Sequence, residues 1–175
     1  MNSRTRKMAE ISWVLLDIDG VLTDGRVGYA ADGEEEIKFF DVKDGHAVKL
    51  LQQGGIIVGA LSGRKSRANF LRARELGLDF LYQNEKDKLA AFEKIQKEQQ
   101  LPADKCLCIG DDLMDIPVMR RCALAAAVAD CVPELQATAD FITEARGGRG
   151  AVREVAVELL KAKGTWERVI QKYYR

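Results

Sequence analysis

Short apolar runs that stop abruptly at polar residues constrain this chain more than any other feature. Trp13-Val14-Leu15-Leu16 ends at Asp17, Ile56 to Leu61 ends at Ser62, and Cys106-Leu107-Cys108-Ile109 ends at Gly110-Asp111. Phe80-Leu81-Tyr82, Leu124 to Val128 and Phe141-Ile142 are further runs of the same kind. None alternates with polar residues, so these runs suit strands covered on both faces. Between them lie stripes at helical spacing: Ala47, Leu50 and Leu51; Phe70, Leu71 and Leu76; Leu89, Phe92 and Ile95; Val152, Val155, Ala156, Leu159 and Leu160. Strand alternating with helix predicts an α/β, Rossmann-like fold, a mostly parallel sheet with helices on both faces.

One segment breaks the alternation. Asp32-Gly33 separates two short extended runs, Arg26 to Ala31 and Glu34 to Phe40. That pattern is a hairpin signal. It places a β-hairpin flap over residues 26–40, inserted after the first strand. The rest reads as one domain over 1–175, with three prolines and no Pro/Ser-rich linker.

Composition excludes several classes. The 27 basic and 27 acidic side chains cancel, which leaves no surplus for sequence-independent nucleic-acid binding. No apolar run approaches the roughly 20 residues that span a bilayer. Met1 to Glu10 is polar and basic, unlike a signal peptide. A soluble, cytoplasmic protein is expected. Cys106, Cys108, Cys122 and Cys131 make no Cys-x-x-Cys pair, so reduced thiols are expected rather than a disulfide or zinc framework.

In a doubly wound sheet, ligands bind beyond the carboxyl ends of the strands. The polar groups there are Asp17 and Asp19, Ser62-Gly63-Arg64, Lys86 and Lys88, and Asp111, Asp112 and Asp115. Two carboxylates about 4 Å apart repel by about 4 kcal/mol at an effective dielectric near 20. A cluster of them calls for a cation, and an all-oxygen donor set selects Mg²⁺ over Zn²⁺. Mg²⁺ readily takes a phosphate oxygen as a further ligand. The Ser62 hydroxyl, the Gly63 N–H and a lysine suit the rest of that phosphate. One carboxylate then attacks phosphorus.

Asp17-Ile18-Asp19-Gly20-Val21-Leu22-Thr23-Asp24-Gly25, Ser62-Gly63-Arg64, Lys88 and Gly110-Asp111-Asp112-Leu113-Met114-Asp115 resemble, in order, the four motifs of the haloacid dehalogenase superfamily. The resemblance covers roughly residues 11 to 160. It implies Asp17 as nucleophile and Asp19 as general acid and then base. It implies Asp17, the Asp19 carbonyl and Asp111 as Mg²⁺ ligands, with Asp112 and Asp115 one step removed from the metal. Thr23, Ser62, Gly63, Arg64 and Lys88 are implied at the substrate. Lys88 is preferred to Lys86 because Asp87-Lys88-Leu89 opens a helix, as in the family. Within the superfamily, the hairpin, the Gly110 to Met119 stretch and Gly147-Gly148-Arg149-Gly150-Ala151-Val152-Arg153-Glu154 resemble the capless phosphatases of 3-deoxy-D-manno-octulosonate 8-phosphate (KDO 8-phosphate). Those enzymes are homotetramers in which a neighbouring subunit helps to close each site. The related nine-carbon keto-sugar phosphatases usually carry Glu at the position of Arg64, and an Arg there suits a substrate carboxylate. Lys43, His46 and Asn84 stand where the family more often has Arg, Tyr and Gly.

Alternatives remain at this level. They are a phosphatase for another sugar phosphate, a non-enzymatic receiver-like domain, and an inactive assembly module. A receiver needs its phosphorylated Asp after the third strand, and Phe80-Leu81-Tyr82-Gln83-Asn84 has none. Ser62 also suits a helix cap, and Asp115 a helix first turn. Arg149 is a candidate for a sugar carboxylate, beside glycines that otherwise read as a loop. Trp166, Tyr173 and Tyr174 read as packing or an oligomer contact.

Overall fold

The computed structural model describes residues 3–31 and 36–175. The uninterrupted apolar runs become strands of one parallel sheet: β1 (Trp13–Leu16), β4 (Ile57–Ser62), β5 (Phe80–Gln83), β6 (Cys106–Gly110), β7 (Leu124–Ala127) and β8 (Phe141–Ile142). Their spatial order is β5-β4-β1-β6-β7-β8, and every neighbouring pair is parallel. The chain moves outward from β1 in one direction through β4 and β5. It then returns to the other side of β1 and continues through β6, β7 and β8. The order therefore reverses between β1 and β6, which opens a crevice beyond their carboxyl ends.

Helices α2 (Val42–Gln53) and α7 (Ala151–Ala162) pack together with α1 (Ser3–Glu10) on one face, and α4 (Lys88–Gln99) with α5 (Ile116–Met119) on the other. The core runs through both layers, with Trp13, Leu15, Leu107, Ile109 and Leu159 all almost wholly covered. The Trp13 ring stacks on Phe92 of α4 at 5.6 Å, and its Nε1 donates to the Pro102 carbonyl at 2.8 Å. Cys106, Cys108, Cys122 and Cys131 are free thiols, the first two and the last buried.

Local capping sets the helix starts. Asp41 accepts from the Lys43 and Asp44 N–H groups to begin α2. Asp87 accepts from Ala90 to begin α4, which leaves Lys88 at the first turn. The first residue before α7 is Gly150, which has no side chain to cap with. Its cap comes from α2, where the fully buried Asp44 accepts from Gly150 N and Arg153 N at 2.9 and 2.8 Å.

Beyond β1 the chain pairs β2 (Gly28–Tyr29) antiparallel with β3 (Glu36–Ile37), with Gly28 opposite Ile37 and Tyr29 opposite Glu36. The Asp32-Gly33 turn expected between them lies outside the described residues. An isolated bridge from Thr23 to Phe40 ties the outgoing arm back to the loop after β1.

Three features add to the sequence reading or depart from it. Residues 3–10 form a helix that buries Met8, held by Lys163 Nζ on the carbonyls of Ala9 and Ile11. In α3 (Arg67–Leu76) the buried positions are Asn69, Ala73 and Leu76, while Phe70 and Leu71 are half exposed. Asn69 and Ala73 turn inward beside Leu76, in place of the larger Phe70 and Leu71. Of the C-terminal aromatics, Trp166 starts α8 (Trp166–Ile170) under the Arg153 guanidinium, and Tyr174 is exposed.

Candidate active site

The sharp stop after each apolar run delivers the polar groups to one crevice. A cavity of about 470 Å³ is lined by Asp17, Asp19, Ser62, Gly63, Arg64, Lys86, Lys88, Asp111, Asp112 and Met114. Of the residues expected at the site, only Thr23 and Asp115 are missing from that lining. A neighbouring cleft of about 560 Å³, with Phe39, Val42, Lys43 and Arg149 on its walls, holds none of the clustered carboxylates.

At the centre is a buried ion cluster. Lys88 Nζ donates to Asp17 Oδ1 at 2.8 Å and to Asp115 Oδ1 at 2.6 Å. All three side chains are more than nine-tenths covered. Asp115 Oδ2 accepts from the N–H groups of Asp111 and Asp112 at 3.0 and 3.3 Å. Both Asp115 oxygens are thus engaged, one by the lysine and one by backbone. Asp115 fixes the loop after β6 and orients Lys88. Asp112 points to solvent and caps that same turn through Leu113 N.

Burial raises Asp17 to about 7, with the Asp115 charge adding to it and Lys88 opposing. Burial and the Asp17 charge raise Asp111 to about 8. Burial alone would push the Lys88 ammonium down, but its two carboxylate partners outweigh this and hold it above its usual range. The sequence expectation of crowded carboxylates is met in energetic form: Asp17 and Asp111 resist ionising together.

A cation resolves that crowding, and the residues fit one. Asp17, Asp111 and Asp115 each offer a carboxylate oxygen, and these lie within 4.8 Å of one another. Asp111 Oδ1 is buried without any hydrogen-bond partner, an orphaned acceptor that a cation would satisfy. Its carboxylate rests on Gly20, where an added Cβ would fall 1.9 Å from Asp111 Oδ2. Gly20 also sits at φ +102°. Because Asp115 is fully occupied, Asp17 and Asp111 are the side chains free to bind metal, and the all-oxygen set suits Mg²⁺.

The two raised carboxyls carry a stability consequence of one sign. The unfolded chain releases these protons near pH 3.8, while the folded chain keeps them. The resulting stability is whole below about pH 4 and is lost as pH rises through about 7 to 8. Metal-free protein should therefore melt at a lower temperature at about pH 8.5 than at about pH 5. Mg²⁺ at about 100 times its Kd should add about 2.7 kcal/mol, roughly 5–10 °C for a chain this long. At one fixed Mg²⁺ concentration the gain should be larger at about pH 8 than at about pH 6, because the carboxyls must lose their protons to bind the ion. Thermal scans in EDTA and in Mg²⁺ read both effects, and a metal-free melting temperature that climbs across the window would contradict the assignment.

Around the cluster, Ser62 is buried at the end of β4, and its Oγ accepts from Arg64 N at 3.1 Å, which leaves its hydrogen free to donate. Gly63 has open surroundings; an added Cβ would meet nothing nearer than 3.7 Å. Close packing therefore does not demand glycine there. Lys86, the rival of Lys88, is exposed and donates to the Gly63 carbonyl. Arg64 stands at the mouth, its side chain about half exposed, with Nη1 3.3 Å from Glu36 Oε1.

Thr23 departs from its expected place at the substrate. It is fully buried, donates to the Ile18 carbonyl, and accepts from Gly20 N and Gly25 N, each at 3.3 Å. The hydroxyl shapes the loop and faces away from the cavity. Arg149 pairs with Asp24 at 3.5 Å in the neighbouring cleft. His46 meets the Tyr173 ring edge-on, away from the carboxylates. Asn84 sits at φ +63°, a left-handed conformation that Asn tolerates better than most residues.

One residue at the site was not singled out in the sequence. Lys38 Nζ donates to Asp19 Oδ1 at 2.5 Å, with its side chain wholly covered. The period of two in Glu36-Ile37-Lys38-Phe39 was the available signal. It puts Lys38 opposite the exposed Ile37 and Phe39.

Comparison with known proteins gives one consistent picture. The family described as haloacid dehalogenase-like hydrolase matches residues 68–153. The 3-deoxy-D-manno-octulosonate 8-phosphate phosphatase KdsC of Escherichia coli K12 is 40% identical over 158 residues, 90% of this chain and 84% of the relative. A probable YrbI family phosphatase from Pseudomonas syringae superposes with a TM-score of 0.94 at 38% identity, covering 98% of this chain and 97% of that one. The Moraxella catarrhalis 3-deoxy-D-manno-octulosonate 8-phosphate phosphatase, solved with magnesium, phosphate and KDO, superposes with a TM-score of 0.94 at 36% identity, covering 99% of each chain.

Proposed function

Because this chain belongs to the KDO 8-phosphate phosphatases of the haloacid dehalogenase superfamily, we propose that it hydrolyses KDO 8-phosphate with Asp17 as its nucleophile. The products are KDO and inorganic phosphate, and the metal is Mg²⁺. The observation that carries the residue assignment is the buried Lys88 ammonium shared by Asp17 and Asp115, beside the unpartnered Asp111 oxygen.

Lys88 holds Asp17 Oδ1, so Asp17 Oδ2 is the oxygen that attacks phosphorus. The bond from phosphorus to the sugar O8 breaks, and Asp19 gives O8 its proton. Asp17 now carries the phosphoryl group. Asp19, deprotonated, takes a proton from water as that water attacks phosphorus, and the Asp17–phosphorus bond breaks to release phosphate. The Ser62 hydroxyl, the Gly63 N–H and Lys88 bind the phosphate oxygens throughout. Bound Mg²⁺, held by Asp17, the Asp19 carbonyl and Asp111, supplies positive charge against the repulsion between carboxylate and phosphate. Asp112 and Asp115 support that site through the loop after β6. Arg64, at the mouth, receives the sugar carboxylate as a two-point pair, leaving Glu36 to do so.

Phosphate release from KDO 8-phosphate, with Mg²⁺ and with EDTA, tests the reading. Release should require the metal and should exceed that from nine-carbon keto-sugar phosphates in kcat/KM. Silence toward KDO 8-phosphate in Mg²⁺ would sink the substrate assignment.

The whole chain acts in this reading as one domain, in the cytoplasm, on a precursor of lipopolysaccharide. Assembly as a homotetramer is supported by an apolar surface. Ile37 and Phe39 are exposed along the hairpin's outgoing arm, Val42 at the start of α2, and Phe70 and Leu71 on α3, which packs against β3. Exposed apolar side chains on adjoining elements suit an interface between chains. Sedimentation equilibrium should return four times the chain mass, and a monomer at micromolar concentration would refute it. Among the described residues, no helix is long and apolar enough to cross a membrane.

A further inference from the structure

We infer that Lys38, carried by the hairpin, is the positioning residue of Asp19: its ammonium pins one carboxylate oxygen so that the other is aimed at the sugar oxygen that leaves. The inference rests on the acid–base reading of Asp19. Four observations lead to it.

Lys38 is the fully covered cation of the hairpin, with no exposed side-chain surface. An ammonium taken out of water is strongly disfavoured unless it is paired. Its partners are Asp19 Oδ1 at 2.5 Å and Glu36 Oε2 at 3.6 Å. The shorter, better-formed bond goes to Asp19. Second, Lys38 does not line the carboxylate cavity, so it is not a ligand of the substrate in this arrangement. Third, the arm bearing it is anchored at both ends. The Thr23–Phe40 bridge holds it to the loop after β1, and the β2–β3 pairing holds it to the rest of the hairpin. Fourth, Glu36 on the same arm reaches Arg64 Nη1. The chain Asp19–Lys38–Glu36–Arg64 therefore runs from the acid to the mouth of the site through the hairpin.

A carboxylate on a loop turns freely about its last torsion. Fixing one oxygen removes that freedom and leaves the second with a single direction. The hairpin is then more than a cover. It supplies the group that sets where Asp19 delivers its proton.

The test uses two substrates, because only one needs that proton. KDO 8-phosphate has an alkoxide leaving group, which must be protonated as it departs. p-Nitrophenyl phosphate releases a stable phenolate and does not need it. kcat/KM reports the steps through leaving-group departure, so slow breakdown of the phosphoenzyme does not mask the comparison. Lys38→Met should lower kcat/KM for KDO 8-phosphate by about 10- to 100-fold and for p-nitrophenyl phosphate by less than about threefold. In an Asp19→Asn background, Lys38→Met should add nothing further to the loss on KDO 8-phosphate. Lys38→Gln, which keeps a donor but no charge, should fall between Met and the parent. It also serves should the Met variant not fold by circular dichroism.

Equal losses on both substrates would overturn the inference, as would a Lys38→Met variant with parental activity or a loss that adds in full to that of Asp19→Asn. Failure of the underlying reading has a different signature. Asp19→Asn would then lose equally on both substrates, whatever Lys38 does.

Discussion

Replacing Asp17 by Asn should lower kcat for KDO 8-phosphate by about 10⁵-fold or more while the protein stays folded. A neutral amide has no oxygen able to form the phosphorylated intermediate. Its loss of charge also removes a ligand from the metal site, so Mg²⁺ should raise the melting temperature of the variant less than that of the parent. The fold should not suffer. Lys88 keeps its 2.6 Å bond to Asp115, and Asn offers an oxygen of the same shape to the ammonium. The parent Asp17 is raised to about 7 by burial and by the Asp115 charge, so at about pH 8 its charge is a burden on the metal-free protein. In EDTA at that pH the variant should melt no lower than the parent. Phosphate release and thermal scans decide together. A variant retaining a tenth or more of parental kcat would remove Asp17 as nucleophile, and an unfolded variant would mean that Asp17 is structural.

The sheet and the heart of the site were legible because each rests on a local pattern. Trp13 to Leu16 and Cys106 to Ile109 lack polar alternation, and they became the two strands flanking the switch point. Their abrupt ends put Asp17 and Asp111 on either side of one crevice. Lys88 was legible by its place after the Asp87 cap. What was not legible depends on contacts across the chain. Lys38 meets Asp19 only because a hairpin folds back, and nothing in Lys38's neighbourhood announces the partner. Thr23 has a polar side chain in the right motif, yet the loop turns it inward to satisfy its own N–H groups. Phe70 and Leu71 match a helical stripe, but Ala73 and Asn69 were the residues that fitted against the sheet layer. Hydrophobicity alone does not say which face of α3 meets the protein and which faces solvent.

The glycines before α7 show the same limit and yield the second large effect: Gly147→Ala should lower stability by about 1–3 kcal/mol and turnover by about 100-fold. In sequence, Gly147-Gly148 reads as a loop. In the structure it is a buttress under the loop after β1. A Cβ on Gly147 would fall 1.6 Å from the Gly20 carbonyl oxygen and 2.6 Å from its carbon. Those atoms are backbone and cannot swing aside as a side chain would. Gly148 N donates to the Val21 carbonyl at 2.8 Å, and Gly147 N to Asp130 Oδ1 at 2.9 Å, so the segment is held from both sides. The strain must then pass to Gly20, which adjoins Asp19 and carries the Asp111 carboxylate against it. Gly77→Ala separates the two effects. Gly77 ends α3 at φ +66° with nothing within 4 Å of an added Cβ, so that change should cost about 1 kcal/mol of stability and leave kcat unchanged. Melting curves and kcat for both variants, assayed well below either melting temperature, read the contrast. If Gly147→Ala loses stability but keeps parental kcat, the segment merely packs, and the position of Asp19 does not depend on it.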